Sequence, residues 1–283
     1  MVRALNKEEQ AVIKRLLEEN KEKVSSLVKN VKNIQRVPTF IEGFDEQMEG
    51  GIPERSITLL CGVSGTMKSS ISFNILYNSV LRGKNGIYVS LEQSYQSLLS
   101  QMATMGFDLT KINIVVLSYL SELLATIDKI KYIDGSVLVV ADIGAIREEL
   151  KRLRPSTPGS EWTNLIKNII KKLQQDGCSS VFVLDSLSAF YTLSNFEEAR
   201  KELFHLFNFL RDSNVTSFLI SEMSMDSKKY ADYDVEDFLA DNIIYINLQR
   251  RELRVVKEIS IVKMRNTDCN TDVFLLNFEK NKF

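Results

Sequence analysis

Residues 56–70, SITLLCGVSGTMKSS, constrain this chain more than any other stretch. An apolar run leads into a loop of small residues, and the loop opens a helix. That order predicts a buried strand, a tight turn and a helix N-terminus whose free N–H groups face an anion. The phosphate-loop template Gly-x-x-x-x-Gly-Lys-Ser/Thr is met at Gly62, Lys68 and Ser69. It is missed once, where Met67 stands in place of the second glycine. The candidate cradle is therefore Gly62, Val63, Ser64, Gly65, Thr66, Met67, Lys68, Ser69 and Ser70. Lys68 would neutralise β/γ-phosphates and Ser69 would ligate Mg²⁺. Gly65 lets the backbone approach closely. Met67 is expected to take helical dihedrals, with its side chain turned from the phosphates. The competing reading is an ordinary Gly/Ser turn before a helix, and the strand–loop–helix context weighs against it.

Length and composition narrow the rest. The 283 residues fit one large α/β domain with an appendage, or two small domains. The composition is that of a soluble globular chain with a sizeable core. No apolar run is long enough to span a bilayer and no signal peptide opens the chain, so no membrane partner is expected. Cys61, Cys178 and Cys269 are far apart, which fits a reducing cytoplasm. The one histidine, His205, is expected on the packing face of a helix, which argues against a Ser–His triad. So few His and Cys argue against zinc. A net charge of −1 gives no general push toward nucleic acid.

Along the chain, residues 1–36 read as an N-terminal helical extension and 37–283 as the main domain. Asn6 to Glu9 has capping-box spacing. Ile13, Leu17, Val24, Val28 and Val31 then share one helical face. That face either packs on its own domain or docks a partner or another subunit. After Pro38 a turn-rich stretch delivers the chain to a first strand at 56–61. A helix to about Arg82 and a strand over 86–91 follow, then a helix over 95–104. Strands are expected near 112–117 and 136–141, with a helix over 119–133 between them. Residues 144–160 suggest a surface helix and loop. Trp162 to Gln175 reads as a helix ended by Gly177. Strands at 181–184 and 217–220 flank a helix over 196–211. The segment 242–278 then reads as adjoining strands. This is an α/β pattern: a mostly parallel sheet closed by antiparallel C-terminal edge strands.

In such a sheet, ligands lie beyond the carboxyl ends of the strands. Four of those ends carry polar chemistry: the loop, Glu92, Asp185 and Glu222. Asp185 follows four apolar residues in the Walker B manner and is the second candidate Mg²⁺ ligand. Glu92 can orient or deprotonate an attacking water. Alone, either carboxylate also reads as ordinary strand-end decoration.

The chain here resembles KaiC-like ATPases of the RecA superfamily. The resemblance rests on Thr39–Gly62, Glu92-Gln93, Asp185-Ser186, Arg200–Phe204, Phe238–Ile244 and Lys263–Thr267, in that order, and covers about residues 39–280. It implies a RecA-like P-loop NTPase core assembled as a ring, usually a hexamer, with ATP between subunits. It also implies that Lys263 and Arg265 reach a neighbour's phosphates, as arginine fingers do. Thr267 would lie near the same pocket and Thr104 close to the adenine. Without the resemblance, Lys263 and Arg265 read as charges on an edge strand. The family's Glu-Glu pair is Glu92-Gln93 here, which implies slow hydrolysis. Its autophosphorylation Ser-Thr pair corresponds to Asp237 and Phe238, so no phosphorylation cycle is expected.

Three functions compete. The first is a Mg²⁺-dependent ATPase in a ring, serving a regulatory or signalling role. The second is a nucleotide-gated scaffold that recruits a protein through the N-terminal helix with little turnover. The third is a RecA-like DNA repair paralogue. Residues 223–237 carry five carboxylates against Lys228 and Lys229, which disfavours the third despite Tyr230 and Tyr233. An archaellum-motor accessory ATPase is a further option.

Overall fold

The computed structural model describes residues 7–31, 34–119, 125–126, 128–130, 132–146, 148, 161–174, 180–193, 196–223, 236–279 and 282–283. The chain divides into two compact units, Met1–Gln35 and Arg36–Phe283. Asn6, Gly177 and the greater parts of 144–160 and 223–237 lie outside the described residues, so the expectations placed on them do too.

The first unit contains one helix, α1, Lys7–Val31. Arg15 and Glu19, one turn apart, form an ion pair at 3.1 Å on its surface.

The second unit begins with β1 (Arg36–Val37), which pairs antiparallel with β2 (Ile52–Pro53). Between them, Asp45 accepts hydrogen bonds from the backbone and hydroxyl of Thr39 and from the backbone of Phe40. The remaining strands are β3 (Ile57–Gly62), β4 (Asn85–Ser90), β5 (Asn113–Leu117), β6 (Val137–Asp142), β7 (Ser180–Asp185), β8 (Val215–Glu222), β9 (Asn242–Arg251), β10 (Arg254–Met264) and β11 (Val273–Leu276). They form one nine-stranded sheet in the order β11-β10-β9-β3-β8-β7-β4-β6-β5. The seven strands from β9 to β5 are mutually parallel, and β10 and β11 close one edge antiparallel. Helices of this unit include α2 (Lys68–Leu81), α3 (Tyr95–Thr104), α4 (Glu161–Gln174), α5 (Leu187–Leu193), α6 (Phe196–Asp212) and the short α7 (Glu236–Leu239).

Each central strand is buried on both faces, which is why β3, β6 and β7 read as continuous apolar runs. Alternation divides their side chains between two cores. Ile57, Leu59 and Cys61 join Ile166, Ile169, Phe190 and Phe207 from α4, α5 and α6. Leu60 joins Ile71, Phe73 and Leu98 from α2 and α3. His205 differs from expectation: it is exposed on α6, because Leu203, Leu206 and Phe207 supply the packing face.

Register aligns the strand ends. Gly62 pairs with Glu222, and Ser90 pairs with Asp185 on one side and Asp142 on the other. The row of carboxyl-end residues therefore runs across the middle of the sheet.

Candidate functional site

The loop after β3 is shaped by two glycines and one methionine. A Cβ on Gly62 would stand 2.3 Å from the carbonyl oxygen of Ile246, so only glycine lets β3 lie against β9 there. Gly65 has φ +84° and takes the left-handed turn without penalty. Met67 takes the same region, φ +71° and ψ +25°, and is not helical as the sequence suggested. The chain must reverse at that residue to enter α2, and this is where the template has its second glycine. A left-handed non-glycine residue costs about 1–2 kcal/mol. Met67 recovers part of that by packing on the core beneath α3. Its carbonyl accepts the first helical hydrogen bond, from Ile71 N at 2.9 Å. The Thr66 hydroxyl braces the turn by donating to Val63 O at 2.8 Å.

Lys68 is buried, and its amine donates to Gly62 O at 2.8 Å and Val63 O at 2.9 Å. Glu222 Oε1 lies 3.9 Å away. Burial lowers the Lys68 pKa, and the carboxylates of Glu222 and Asp185 offset part of that. Asp185, at the tip of β7, accepts a hydrogen bond from the Tyr88 hydroxyl at 2.5 Å. Burial raises the Asp185 pKa, while hydrogen bonds from Tyr88 and Ser69 pull it down. Burial also drives the Tyr88 phenol well above its usual range, and the Asp185 charge adds to this. Ser69 and Asp185 thus present a hydroxyl and a carboxylate side by side. Glu92, beyond β4, accepts a hydrogen bond from the Ser186 hydroxyl.

Lys68, Ser69, Glu92, Asp185 and Glu222 line one cleft of about 430 Å³. Gln93 lines it too, and its buried Oε1 has no hydrogen-bond partner among the described residues. A larger cleft of about 680 Å³ lies against Phe40, Asn74, Tyr77 and Arg82, away from the loop and its carboxylates.

The other predicted residues lie elsewhere. Thr104 is exposed, and its hydroxyl donates to Ser100 O at 2.9 Å; from α3 it is Gln101, with Met105 just beyond, that lines the cleft. Lys263 donates to Asp237 O at 3.1 Å and Ala240 O at 2.6 Å. Arg265 donates to Asp241 Oδ1 at 3.0 Å. Met264 pairs with Asn242, which pairs with Thr58 at the start of β3. Lys263 and Arg265 are therefore at the end of the sheet opposite the loop, a β3 length of roughly 16 Å away. Thr267 is near them and accepts a hydrogen bond from Arg36 at 3.0 Å.

Sequence reasoning missed Tyr88 and gave Glu222 no role. Tyr88 sits inside an apolar strand, and only the pairing of β4 with β7 brings its hydroxyl to Asp185. The signal for Glu222 was its place after four buried residues of β8, the same signal that marked Asp185.

A family described as "ATPase: KaiC" matches residues 37–282. A UPF0273 protein of Aeropyrum pernix is 30% identical over 234 residues, which is 83% of this chain and 86% of that protein. The circadian clock oscillator protein KaiC of Synechococcus elongatus is 26% identical over 235 residues, 83% of this chain. The match takes in 41% of that clock protein's length. A solved KaiC-like protein of the archaeon Pyrococcus horikoshii superposes with a TM-score of 0.67 at 24% identity, covering 88% of this chain and 97% of that one. That likeness concerns the fold.

Proposed function

The chain belongs to the KaiC family of ATPases and has a RecA-like α/β fold; on that premise we propose that it binds Mg·ATP on Gly62–Ser70 and hydrolyses it slowly. The observation that carries this reading is the convergence of Lys68, Ser69, Asp185 and Glu92 on one cleft from three strand ends. The donor set suits the ligand. Ser69 and Asp185 are hard oxygen donors of the kind Mg²⁺ prefers. The orphaned Gln93 Oε1 suits a bound water or a ligand donor. Bound Mg²⁺ would supply charge neutralisation at the phosphates.

In this reading Lys68 leaves the Gly62 and Val63 carbonyls to meet phosphate oxygens. Ser69 and Asp185 hold the metal. Glu92, oriented by the Ser186 hydroxyl, positions the attacking water. Loop N–H groups from Val63 to Ser70 line the nest, while Thr104 does not reach it and Thr267 would come to it only from a second copy. A second copy, in a ring such as a hexamer, would bring Lys263 and Arg265 to this cleft. Their place at the far end of the sheet supports action between subunits, since they do not reach the loop of their own chain. The setting proposed is cytoplasmic and the role regulatory, with residues 1–36 as a separate extension on the 37–283 ATPase domain.

The alternative of a nucleotide-gated scaffold has its own support. Lys68 is engaged within its loop, Met67 replaces a glycine, and Gln93 replaces a carboxylate. The DNA repair reading rests on residues 223–237, most of which lie outside the described residues, and their five carboxylates against two lysines speak against it.

The deciding experiment is Mg·ATP turnover against protein concentration, with Glu92→Gln and Arg265→Ala. Turnover that rises faster than linearly and falls in both variants supports the ring ATPase. Tight ATP binding without turnover supports the scaffold. ATP binding unchanged by Lys68→Ala would overturn the site assignment.

A further inference from the structure

The helix Lys7–Val31 carries an apolar seam with a spacing that the proposed ATPase does not use. Ile13, Leu17, Asn20 and Val24 recur at intervals of four, three and four, and the sequence continues the pattern at Leu27 and Val31. This is a heptad repeat over three cycles, with Leu17, Val24 and Val31 at a and Ile13, Asn20 and Leu27 at d. Ile13, Leu17 and Val24 are 42%, 58% and 58% exposed. The Arg15–Glu19 ion pair occupies the outer f and c positions, away from the seam. An amphipathic helix gains most of its stability from packing its apolar face.

We propose that this helix pairs with the same helix of a second copy as a parallel, in-register coiled coil. Asn20 identifies the occupant. Between Ile13 and Val31 the seam is aliphatic except for Asn20, and an amide buried there is costly unless a hydrogen-bonding group meets it. A parallel identical helix sets d against d, so Asn20 faces Asn20 of the second copy. An antiparallel pair sets d against a, so Asn20 would meet Leu17 or Val24. An unrelated helix would need its own polar residue at that height. Flanking charges agree with the parallel arrangement. The g-to-e neighbours are Glu9 with Lys14, Leu16 with Lys21 and Lys23 with Val28. That gives one attractive pair, one lysine stem over leucine and no like-charge contact. The antiparallel alternative brings Lys14 beside Lys21.

The test uses the full chain, with and without Mg·ATP. Asn20→Cys is oxidised alongside Arg15→Cys and the unaltered chain. Opposed d positions meet the distance needed for a disulfide, and outer positions do not. The expected result is an interchain-linked dimer in Asn20→Cys, absent from Arg15→Cys and from the unaltered chain. Adding Leu17→Asp and Val24→Asp to Asn20→Cys should abolish the link while the cooperative denaturant unfolding of the chain persists, which shows the main domain folded. Equal linking at positions 15 and 20, or no linking at either, overturns the proposal. Linking that survives both aspartates overturns it as well. None of these outcomes depends on ATP turnover, so the inference stands or falls apart from the ATPase reading.

Discussion

Lys68 Nζ lies 3.9 Å from Glu222 Oε1 while donating to Gly62 O and Val63 O, so this amine, the one proposed to meet phosphate, is held inside its own loop. Strand pairing creates this relationship, since Gly62 and Glu222 are register partners on β3 and β8. A ligand phosphate must compete with the carboxylate. Glu222 is 42% exposed, so the pair is worth at most about 1 kcal/mol. Glu222→Ala is therefore expected to tighten ATP binding by roughly twofold to fivefold, as read by calorimetry. Weaker binding would mean that Glu222 helps to hold the ligand.

Met67→Gly should stabilise the chain. Glycine removes the left-handed strain at φ +71°, and the gain is reduced by glycine's greater freedom in the unfolded state and by lost packing. The expected net change is about +0.5 to 1 kcal/mol, measured as a shift of the denaturant midpoint. A loss of stability would show that the Met67 side chain offsets the whole strain.

If Asp185 holds the proposed Mg²⁺, nucleotide binding will be sensitive to pH. Burial raises its pKa in the folded chain above the ordinary 3.8. The folded state therefore holds this proton more tightly than the unfolded state does. Its contribution to stability falls as pH rises from 3.8 through the folded value. Mg²⁺ held by Asp185 would have the opposite sign, because the ligand would be the ionised carboxylate. Mg²⁺-dependent nucleotide binding should thus grow as pH rises through that window. Tyr88→Phe removes the largest hydrogen bond that lowers the Asp185 pKa and should move the binding curve to higher pH. A curve that stays in place would remove Tyr88 from the site.

Lys263 and Arg265 should separate under mutation. Lys263 caps two backbone carbonyls where the chain passes from α7 to β9, whereas Arg265 makes a half-exposed pair with Asp241. Lys263→Met is expected to cost about 1–3 kcal/mol of stability and Arg265→Ala less than about 1 kcal/mol, by chemical denaturation. If Arg265 acts between subunits, Arg265→Ala lowers turnover without that loss. A large drop in stability for Arg265→Ala would assign it a structural role instead.

Much of the fold was legible. The apolar runs at 57–62 and 180–185 are strands because both faces are covered, and that leaves a pattern visible without a partner. Their polar ends, Lys68 with Ser69 and Asp185, follow the same local logic. Met67 was misjudged, since a template shows which residue is missing and not the dihedral that residue must take. His205 was misjudged because a single residue on an amphipathic helix can border either face.

The sequence by itself determined the strand–loop–helix at Gly62–Ser70, the alternation of strands and helices, and the heptad spacing of the N-terminal helix. These depend on residues close in the chain, whose periods and turn preferences are local. Tertiary structure decided which strand lies beside which. That placed Tyr88 against Asp185, Glu222 against Lys68, and Lys263 and Arg265 at the far end of the sheet. The first two contacts span 97 and 154 residues, and pairing across such distances is set by the burial of whole faces rather than by any nearby residue.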